Sequence, residues 1–170
     1  MAKSKKDSAL FVRNFIFGVE DSLVSTVGLV SGIAVAGVSR SQIFLTGVVL
    51  IFVEAFSMGV GSFLSEESAE EYQSKKFRHN ASIILSSIVM FFSYFFAGFI
   101  PLLPYLVTEV SIALPGSILA SLLALFVLGA VSGKFFERST IKHGLKMLLL
   151  GGAAIFIGIL VGEVVKTIRI

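Results

Sequence analysis

The chain has no cysteine and no tryptophan, and only three of its 170 residues are proline. Without cysteine, disulfides and thiolate metal sites are excluded, although this absence does not identify a compartment. Without tryptophan, an aromatic belt at a membrane surface has to rely on three tyrosines and on 17 phenylalanines. Charged residues make up 15% of the chain, whereas soluble domains carry about 25%. The sequence is therefore not typical of a soluble domain.

Catalytic motifs are lacking as well. The sequence contains no nucleophile–base pair, no Gly-rich phosphate loop and no His/Cys cluster. The two histidines, His79 and His143, are far apart and fall in predicted loops, where a histidine is usually solvated. We therefore expect no enzyme, no bound cofactor and no nucleic-acid partner.

Apolar residues dominate the chain, at 55% of its residues and a mean hydropathy of +0.94. Runs of about 18 or more largely apolar residues mark helices that span a bilayer. Five such runs predict an all-α integral membrane protein in which residues 1–170 form one transmembrane domain. The predicted spans cover roughly residues 14–38, 42–64, 82–100, 115–133 and 147–166.

The segments between the runs predict four connections. Residues 39–41 read as a tight turn, 65–81 as a charged loop, 101–116 as a proline-marked interfacial connection and 134–146 as a basic loop. Pro115 is expected in the first turn of the fourth helix, where a missing N–H costs nothing. The basic N-terminal segment leads into a spanning run without a small-residue cleavage pattern, so the first helix is expected to be a retained anchor.

Basic residues predict the orientation. Loops on the cytoplasmic side carry an excess of lysine and arginine, which favours a cytoplasmic N-terminus and an outward C-terminus. In that orientation Arg40, Lys166 and Arg169 are outside, and the inner set is Lys3, Lys5, Lys6, Arg13, Lys75, Lys76, Arg78, Lys134, Arg138, Lys142 and Lys146.

Small residues inside the spans predict close helix packing. Gly28-x-x-x-Gly32 in the first span and Gly59-x-Gly61 in the second would allow two helices to approach closely. Packing alone is a sufficient reason for these glycines.

Acidic side chains inside a span cost about 2.5–3.5 kcal/mol each, so they are candidates for function. Asp21 lies in the first span and Glu54 near the middle of the second. Glu163 is close enough to the outer interface to snorkel, and Glu20 is placed to pair with a basic neighbour such as Arg13. Asp21 and Glu54 are therefore the main candidates.

Helix geometry predicts that Asp21 and Met58 share a depth in the membrane. Each lies roughly five residues to the cytoplasmic side of its helix centre, at about 1.5 Å per residue. Glu54 is one turn from Met58 on the same face. Carboxylate with thioether suits a divalent transition metal, since sulfur favours softer ions than Mg²⁺ or Ca²⁺. The alternatives are that Met58 only packs and that Glu54 only anchors a neighbouring helix.

A second acidic cluster follows the second span. Its members, Glu66, Glu67, Glu70 and Glu71, form i,i+4 pairs if that helix continues into the cytoplasm. They either form a mouth that attracts metal or belong to a solvated helical extension balanced by the basic residues that follow.

Two motifs resemble the vacuolar iron transporter family. They are FGVEDSLVSTVGLVSG at 17–32 and EAFSMGVGSFLSEESAEEY at 54–72, with weaker likeness at 98–107, 123–135 and 144–162. The resemblance implies a five-helix homodimer that exports cytosolic Fe²⁺ or Mn²⁺ in exchange for protons, along a path at the dimer interface. It also implies that Asp21 and Met58 carry the translocated metal.

The sequence departs from the family pattern in three places. Ser22 stands where the family usually has glycine, and Glu54 is one turn away from Leu50, where plant-type members have their second-helix acidic residue. Plant-type members insert a long Glu- and Met-rich metal-binding domain between the second and third helices, whereas residues 65–81 are all that joins them here. The resemblance thus implies a short form, in which the acidic cluster is the only candidate for a remnant of that domain.

The sequence therefore predicts a proton-coupled exporter of divalent metal whose partners are the bilayer, the metal and a second copy of the chain. A passive cation channel and a non-transporting assembly or metal-sensing module remain as alternatives. Short loops favour a prokaryotic cell membrane, or a vacuolar membrane in a eukaryote. The preferred metal and the coupling stoichiometry stay open.

Overall fold

Five long helices account for nearly all of the chain that the structure covers. The computed structural model describes the backbone of residues 2–74 and 81–168 and the side chains of residues 8–73 and 81–168. Within these ranges there is no strand, and every helix is long and apolar enough to cross a membrane. The predicted all-α integral membrane fold with five spans is confirmed. The helices are α1 (Ala2–Val35), α2 (Arg40–Ser74), α3 (Ala81–Val107), α4 (Val110–Phe135) and α5 (Thr140–Ile168).

Many of the basic side chains that predict the orientation lie outside the described residues. The membrane orientation therefore stays a prediction. The side chains concerned are those of Lys3, Lys5, Lys6, Lys75, Lys76, Arg78, His79 and Arg169.

The third and fourth helices are longer than predicted. Pro101 and Pro104 lie inside α3, and only residues 108–109 separate α3 from α4. The predicted interfacial connection at 101–116 is therefore wrong, and Pro115 lies inside α4 rather than in its first turn. A proline removes one helical hydrogen bond. Leaving the helix within the bilayer would expose several backbone groups to hydrocarbon, which costs more.

The turn between α1 and α2 comes earlier than predicted. Gly37, with φ +90, closes α1 through bonds from its own N–H to Ala34 and from the Val38 N–H to the Ile33 carbonyl. These two bonds define a Schellman motif, which needs a left-handed residue. The predicted turn at 39–41 is thus wrong, because α2 already begins at Arg40.

The α4–α5 connection uses the same motif with a different residue. Glu137 takes the left-handed position at φ +52, and the Arg138 N–H bonds to the Gly133 carbonyl over 2.8 Å. The predicted basic loop at 134–146 is therefore too long, because α4 extends to Phe135 and α5 begins at Thr140. His143 consequently lies in the first turns of α5, half-buried, and not in a loop.

Helix α1 is the centre of the bundle, since it packs against each of the other four helices. Its buried residues Leu23 and Val30 anchor two apolar clusters, which include Leu125 of α4 and Leu102 of α3. The outward faces carry large exposed apolar side chains, as a lipid-facing surface requires. The polar residues of α1 therefore lie in the interior of the helix bundle.

The Gly28-x-x-x-Gly32 motif makes the close approach that the sequence predicts. Its partner is a second pair of glycines on α5, Gly158 and Gly162, where an added Cβ atom would collide with the carbonyl oxygens of Gly28 and Gly32. A Cβ atom on Gly32 would lie 2.6 Å from the Gly158 carbonyl oxygen. Gly59 approaches Phe91 of α3, whereas Gly61 faces open space.

Candidate functional site

Asp21 and Glu54 form an acidic pair between α1 and α2. Both side chains are half-buried, and the two carboxylates are close enough to interact electrostatically. Two neighbouring carboxylates within a span repel each other when both are charged. The pair therefore favours an arrangement in which a cation or a proton lies between or beside them.

Tyr94 of α3 lies beside this acidic pair. It is fully buried, and its hydroxyl lies 2.7 Å from the Ser25 hydroxyl. It is also close enough to Asp21 and Glu54 to interact electrostatically with both. Ser22 fixes the same turn of α3 by donating a hydrogen bond to the Tyr94 carbonyl over 2.6 Å. Sequence reasoning missed Tyr94, although a hydroxyl in the apolar run at 91–99 was a signal.

A cavity of about 860 Å³ opens between the N-terminal part of α1 and the C-terminal part of α2. Its lining includes the carboxyl groups of Glu20 and Glu66 and the thioethers of Met58 and Met90. Asp21 is not part of this lining, but Glu20 interacts electrostatically with Asp21. The cavity therefore leads from one end of the bundle to the neighbourhood of the acidic pair.

Asn14 holds three helices together at the cavity. Only 1% of this residue is exposed, and its Nδ2 donates to Ser62 Oγ on α2 over 2.8 Å and to the Ser86 carbonyl on α3 over 3.1 Å. An unpaired amide at this depth would be costly, so the two bonds fix how the three helices sit against one another. Sequence reasoning did not single out Asn14.

The same contact sets the relative level of the predicted site residues. Asp21 follows Asn14 by seven residues on α1. Because α1 and α2 run antiparallel with the same rise of about 1.5 Å per residue, the residue of α2 at the level of Asp21 lies about seven residues before Ser62. This position is next to Glu54, roughly one helical turn away from Met58. Asp21 therefore comes to about the level of Glu54, within electrostatic range of it, and Met58 lines the cavity with Glu20.

The acidic cluster lies on a helix, because α2 continues to Ser74. Glu66 lines the cavity and forms an ion pair with Arg13 of α1, whereas Glu67, Glu70 and Glu71 are partly exposed on the helical extension. Within the described part of one chain, no three acidic or histidine residues come together as a metal-holding group.

Glu20 takes a different place from the one predicted, whereas Glu163 stays outside the candidate site. Glu20 does not pair with Arg13, which binds Glu66 instead, and its charged neighbours are Asp21 and Lys146. Glu163 is exposed on α5, away from the cavity lining. Glu20 is therefore closer to the candidate site than the sequence indicated.

Side chains with oxygen and sulfur atoms that can bind a metal follow one another through half of the bundle. From the open end, this line of ligands runs from Glu66 to Glu20 and Met58, and then to the acidic pair. Carboxylates bind hard and borderline cations, and a thioether adds preference for softer ones. The arrangement is suited to passing a divalent cation from the cavity to a site within the membrane.

Comparison with known proteins gives consistent matches over this whole region. The family model described as the VIT family matches residues 12–85 and 72–163, which reach from α1 to α5. "Vacuolar iron transporter 1" of Arabidopsis thaliana is 22% identical over 203 aligned residues, covering 84% of this chain and 81% of that protein. "Vacuolar iron transporter" of Centaurea cyanus is also 22% identical, covering 84% and 83%. "Vacuolar iron transporter 1" of Tulipa gesneriana is 31% identical over 75 residues, covering 44% and 30%.

Proposed function

The chain belongs to the VIT family, and from this premise we propose that it exports Fe²⁺ or Mn²⁺ from the cytosol across a membrane. The relatives that match most of its length are named as vacuolar iron transporters. The observation that carries the proposal is the cavity lined by Met58 and Glu20, which adjoins the acidic pair Asp21–Glu54. Transport, rather than catalysis, is the activity that such a line of ligands supports.

Exchange for protons follows from the chemistry of the acidic pair. Two carboxylates at bilayer depth are costly when both are charged. A divalent cation neutralises both, and so do protons, since loss of hydration disfavours the charged form of a carboxylate. Metal and protons would therefore compete for Asp21 and Glu54, and a proton gradient would drive metal release on the far side.

We also propose that two copies of the chain form the transporting unit. Ser57 and Gly61 on α2 are exposed, and Glu54 and Met58 beside them are only half-buried. Small and polar groups on a membrane face are typical of a helix–helix contact. A second copy against α2 would cover them and bring a second acidic pair to the first.

The proposal also concerns the membrane in which the chain is located. The matching relatives come from plants and are named as vacuolar. They support a vacuolar membrane if the source is eukaryotic, and they give no support to the predicted prokaryotic cell membrane.

Transport in proteoliposomes tests the proposal. Uptake of Fe²⁺, Mn²⁺, Co²⁺ and Zn²⁺ would be measured with and without an imposed pH gradient, for the wild type, Asp21→Asn and Glu163→Gln. We expect gradient-dependent uptake of Fe²⁺ or Mn²⁺, its loss in Asp21→Asn, and normal uptake in Glu163→Gln, whose side chain is exposed and outside the cavity lining.

Each other outcome has a definite meaning. Normal uptake by Asp21→Asn rejects the site. Uptake that follows voltage and ignores the pH gradient indicates a passive channel. A wild type that moves none of the four metals indicates a non-transporting module.

A further inference from the structure

Arg13 and Glu66 form an ion pair at the mouth of the cavity. Arg13 comes from α1 and Glu66 from the extension of α2, and both side chains line the cavity. The arginine side chain is 60% exposed, whereas that of Glu66 is 19% exposed. The carboxylate is therefore largely withdrawn from solvent, and its charge is balanced by a side chain that solvent can reach.

Arg13 is the only basic residue in the described lining of the cavity. The other ionisable residues in that lining are Glu20 and Glu66, and Met58 adds a thioether. Lys146 acts on Glu20 from α5 without being part of the lining. The guanidinium thus occupies the position where the negative charge of the cavity would otherwise attract a cation from solution.

The guanidinium of Arg13 is held by two contacts, the ion pair with Glu66 and a long hydrogen bond to Asn14. Next to it, Asn14 is anchored by its hydrogen bonds to α2 and α3, and Arg13 Nη2 reaches Asn14 Oδ1 over 3.4 Å. The long side chain of arginine can swing away from Glu66 without any change in the helices. A partly exposed ion pair is weak enough for such exchange.

We propose that Arg13 is a tethered competitor for the incoming metal and so sets the ionic selectivity of the cavity. In the empty cavity the guanidinium neutralises Glu66, and a cation has to displace it to bind there. A divalent ion gains twice the Coulomb attraction of a monovalent ion at the same distance. The guanidinium therefore keeps weakly bound K⁺ and Na⁺ off Glu66 at concentrations where the more strongly attracted Fe²⁺ or Mn²⁺ can still displace it. This inference rests on the proposed function, because it concerns the entrance to the proposed pathway.

The chain contains a matched control for this pair. Arg40 and Glu109 form an ion pair over 3.8 Å at the opposite end of the bundle, with side chains that are 42% and 80% exposed. This second pair joins α2 to the residue before α4 and lines none of the cavity described above. Arg40→Gln removes an arginine and an ion pair without touching the proposed entrance.

The test is the metal dependence of uptake in proteoliposomes, at low and at raised KCl. For Arg13→Gln we expect the half-saturating Mn²⁺ concentration to fall about two- to fivefold at low KCl, the range that a partly exposed ion pair supports. We expect raised KCl to inhibit this variant more than the wild type, with no gain in maximal rate. Arg13→Lys, which keeps the charge, should behave like the wild type, and so should Arg40→Gln.

A second variant keeps the inference testable if Arg13→Gln does not fold. Glu66→Gln leaves the Arg13 charge unbalanced in the cavity, so the half-saturating Mn²⁺ concentration should rise. An unchanged value in either variant overturns the inference, and so does a change in Arg13→Gln that Arg13→Lys fails to reverse, since that indicates a purely structural arginine. Absence of uptake by the wild type would instead reject the proposed function.

Discussion

Asn14 Nδ2 on α1 lies 2.8 Å from Ser62 Oγ on α2, and this hydrogen bond sets the level at which the two helices face each other. At that level the carboxyl groups of Asp21 and Glu54 are close enough to interact electrostatically, and Met58 lines the cavity. The order of ligands along the proposed pathway is therefore fixed by a buried amide that itself carries no charge.

Asn14→Ala should lower the free energy of unfolding by about 1–3 kcal/mol, because it removes a buried amide that is bonded to two other helices. The measurement is thermal denaturation of the purified protein in detergent. Thr46→Ala is the control, since it removes an exposed hydroxyl bonded within α2 and should change stability little. Equal effects in the two variants would contradict a central role for Asn14.

Tyr94→Phe should reduce the rate of metal uptake about two- to tenfold, which corresponds to one hydrogen bond, and leave the fold intact. The Tyr94 hydroxyl is bonded to Ser25 and lies in the field of Asp21 and Glu54. Tyr105→Phe is a matched control, because Tyr105 is equally buried in α3 but lies in the apolar cluster with Leu102 and Ala113. Equal rates in Tyr94→Phe and the wild type would remove Tyr94 from the site.

Met58→Leu should weaken the preference for Fe²⁺ and Mn²⁺ over Mg²⁺, because it replaces one of the two thioethers in the described lining of the cavity by a side chain of similar volume. The measurement is the inhibition of Mn²⁺ uptake by Mg²⁺, which should become stronger. Met147→Leu is the control, since Met147 packs against the core cluster of Leu23 and Leu125. The same selectivity in Met58→Leu as in the wild type would mean that Met58 only packs.

Gly158→Ala should lower the free energy of unfolding by about 1–3 kcal/mol, the usual cost of overpacking. The added methyl group would collide with the carbonyl oxygen of Gly28 on α1. Gly152→Ala is the control on the same helix, because a methyl group there meets nothing within 4 Å. Alanine at 152 should leave stability unchanged or raise it by about 0.5–1 kcal/mol. Thermal denaturation in detergent would show whether the two variants differ in this way.

Glu137→Gly should raise the free energy of unfolding by about 1 kcal/mol, because Glu137 holds a left-handed conformation that costs a residue with a side chain about 1–2 kcal/mol. Gly37→Ala, at the equivalent position after α1, should have the opposite sign. Both changes are read from denaturation midpoints. A loss of stability in Glu137→Gly would show that its side chain makes a compensating contact.

Much of the fold could be predicted from local sequence. Five apolar runs predict five helices, because in a bilayer each backbone group has to be bonded within its own helix. Asp21 and Glu54 stand out for the same kind of reason, since a carboxylate in such a run is costly. The sequence mispredicts the C-terminal end of α3 and the N-terminal end of α4. The reason is that proline indicates the end of a helix less strongly within a membrane than in water.

What only the tertiary structure decided is which residues meet. The pairing of Gly28 and Gly32 with Gly158 and Gly162 joins helices more than 100 residues apart in sequence. The ion pair of Arg13 with Glu66 likewise depends on how α1 and α2 cross. Composition and hydropathy determine that a helix forms and lies in the membrane. The level and rotation of one helix against another depend on side-chain packing and on buried hydrogen bonds such as that of Asn14, which the linear order of residues does not reveal.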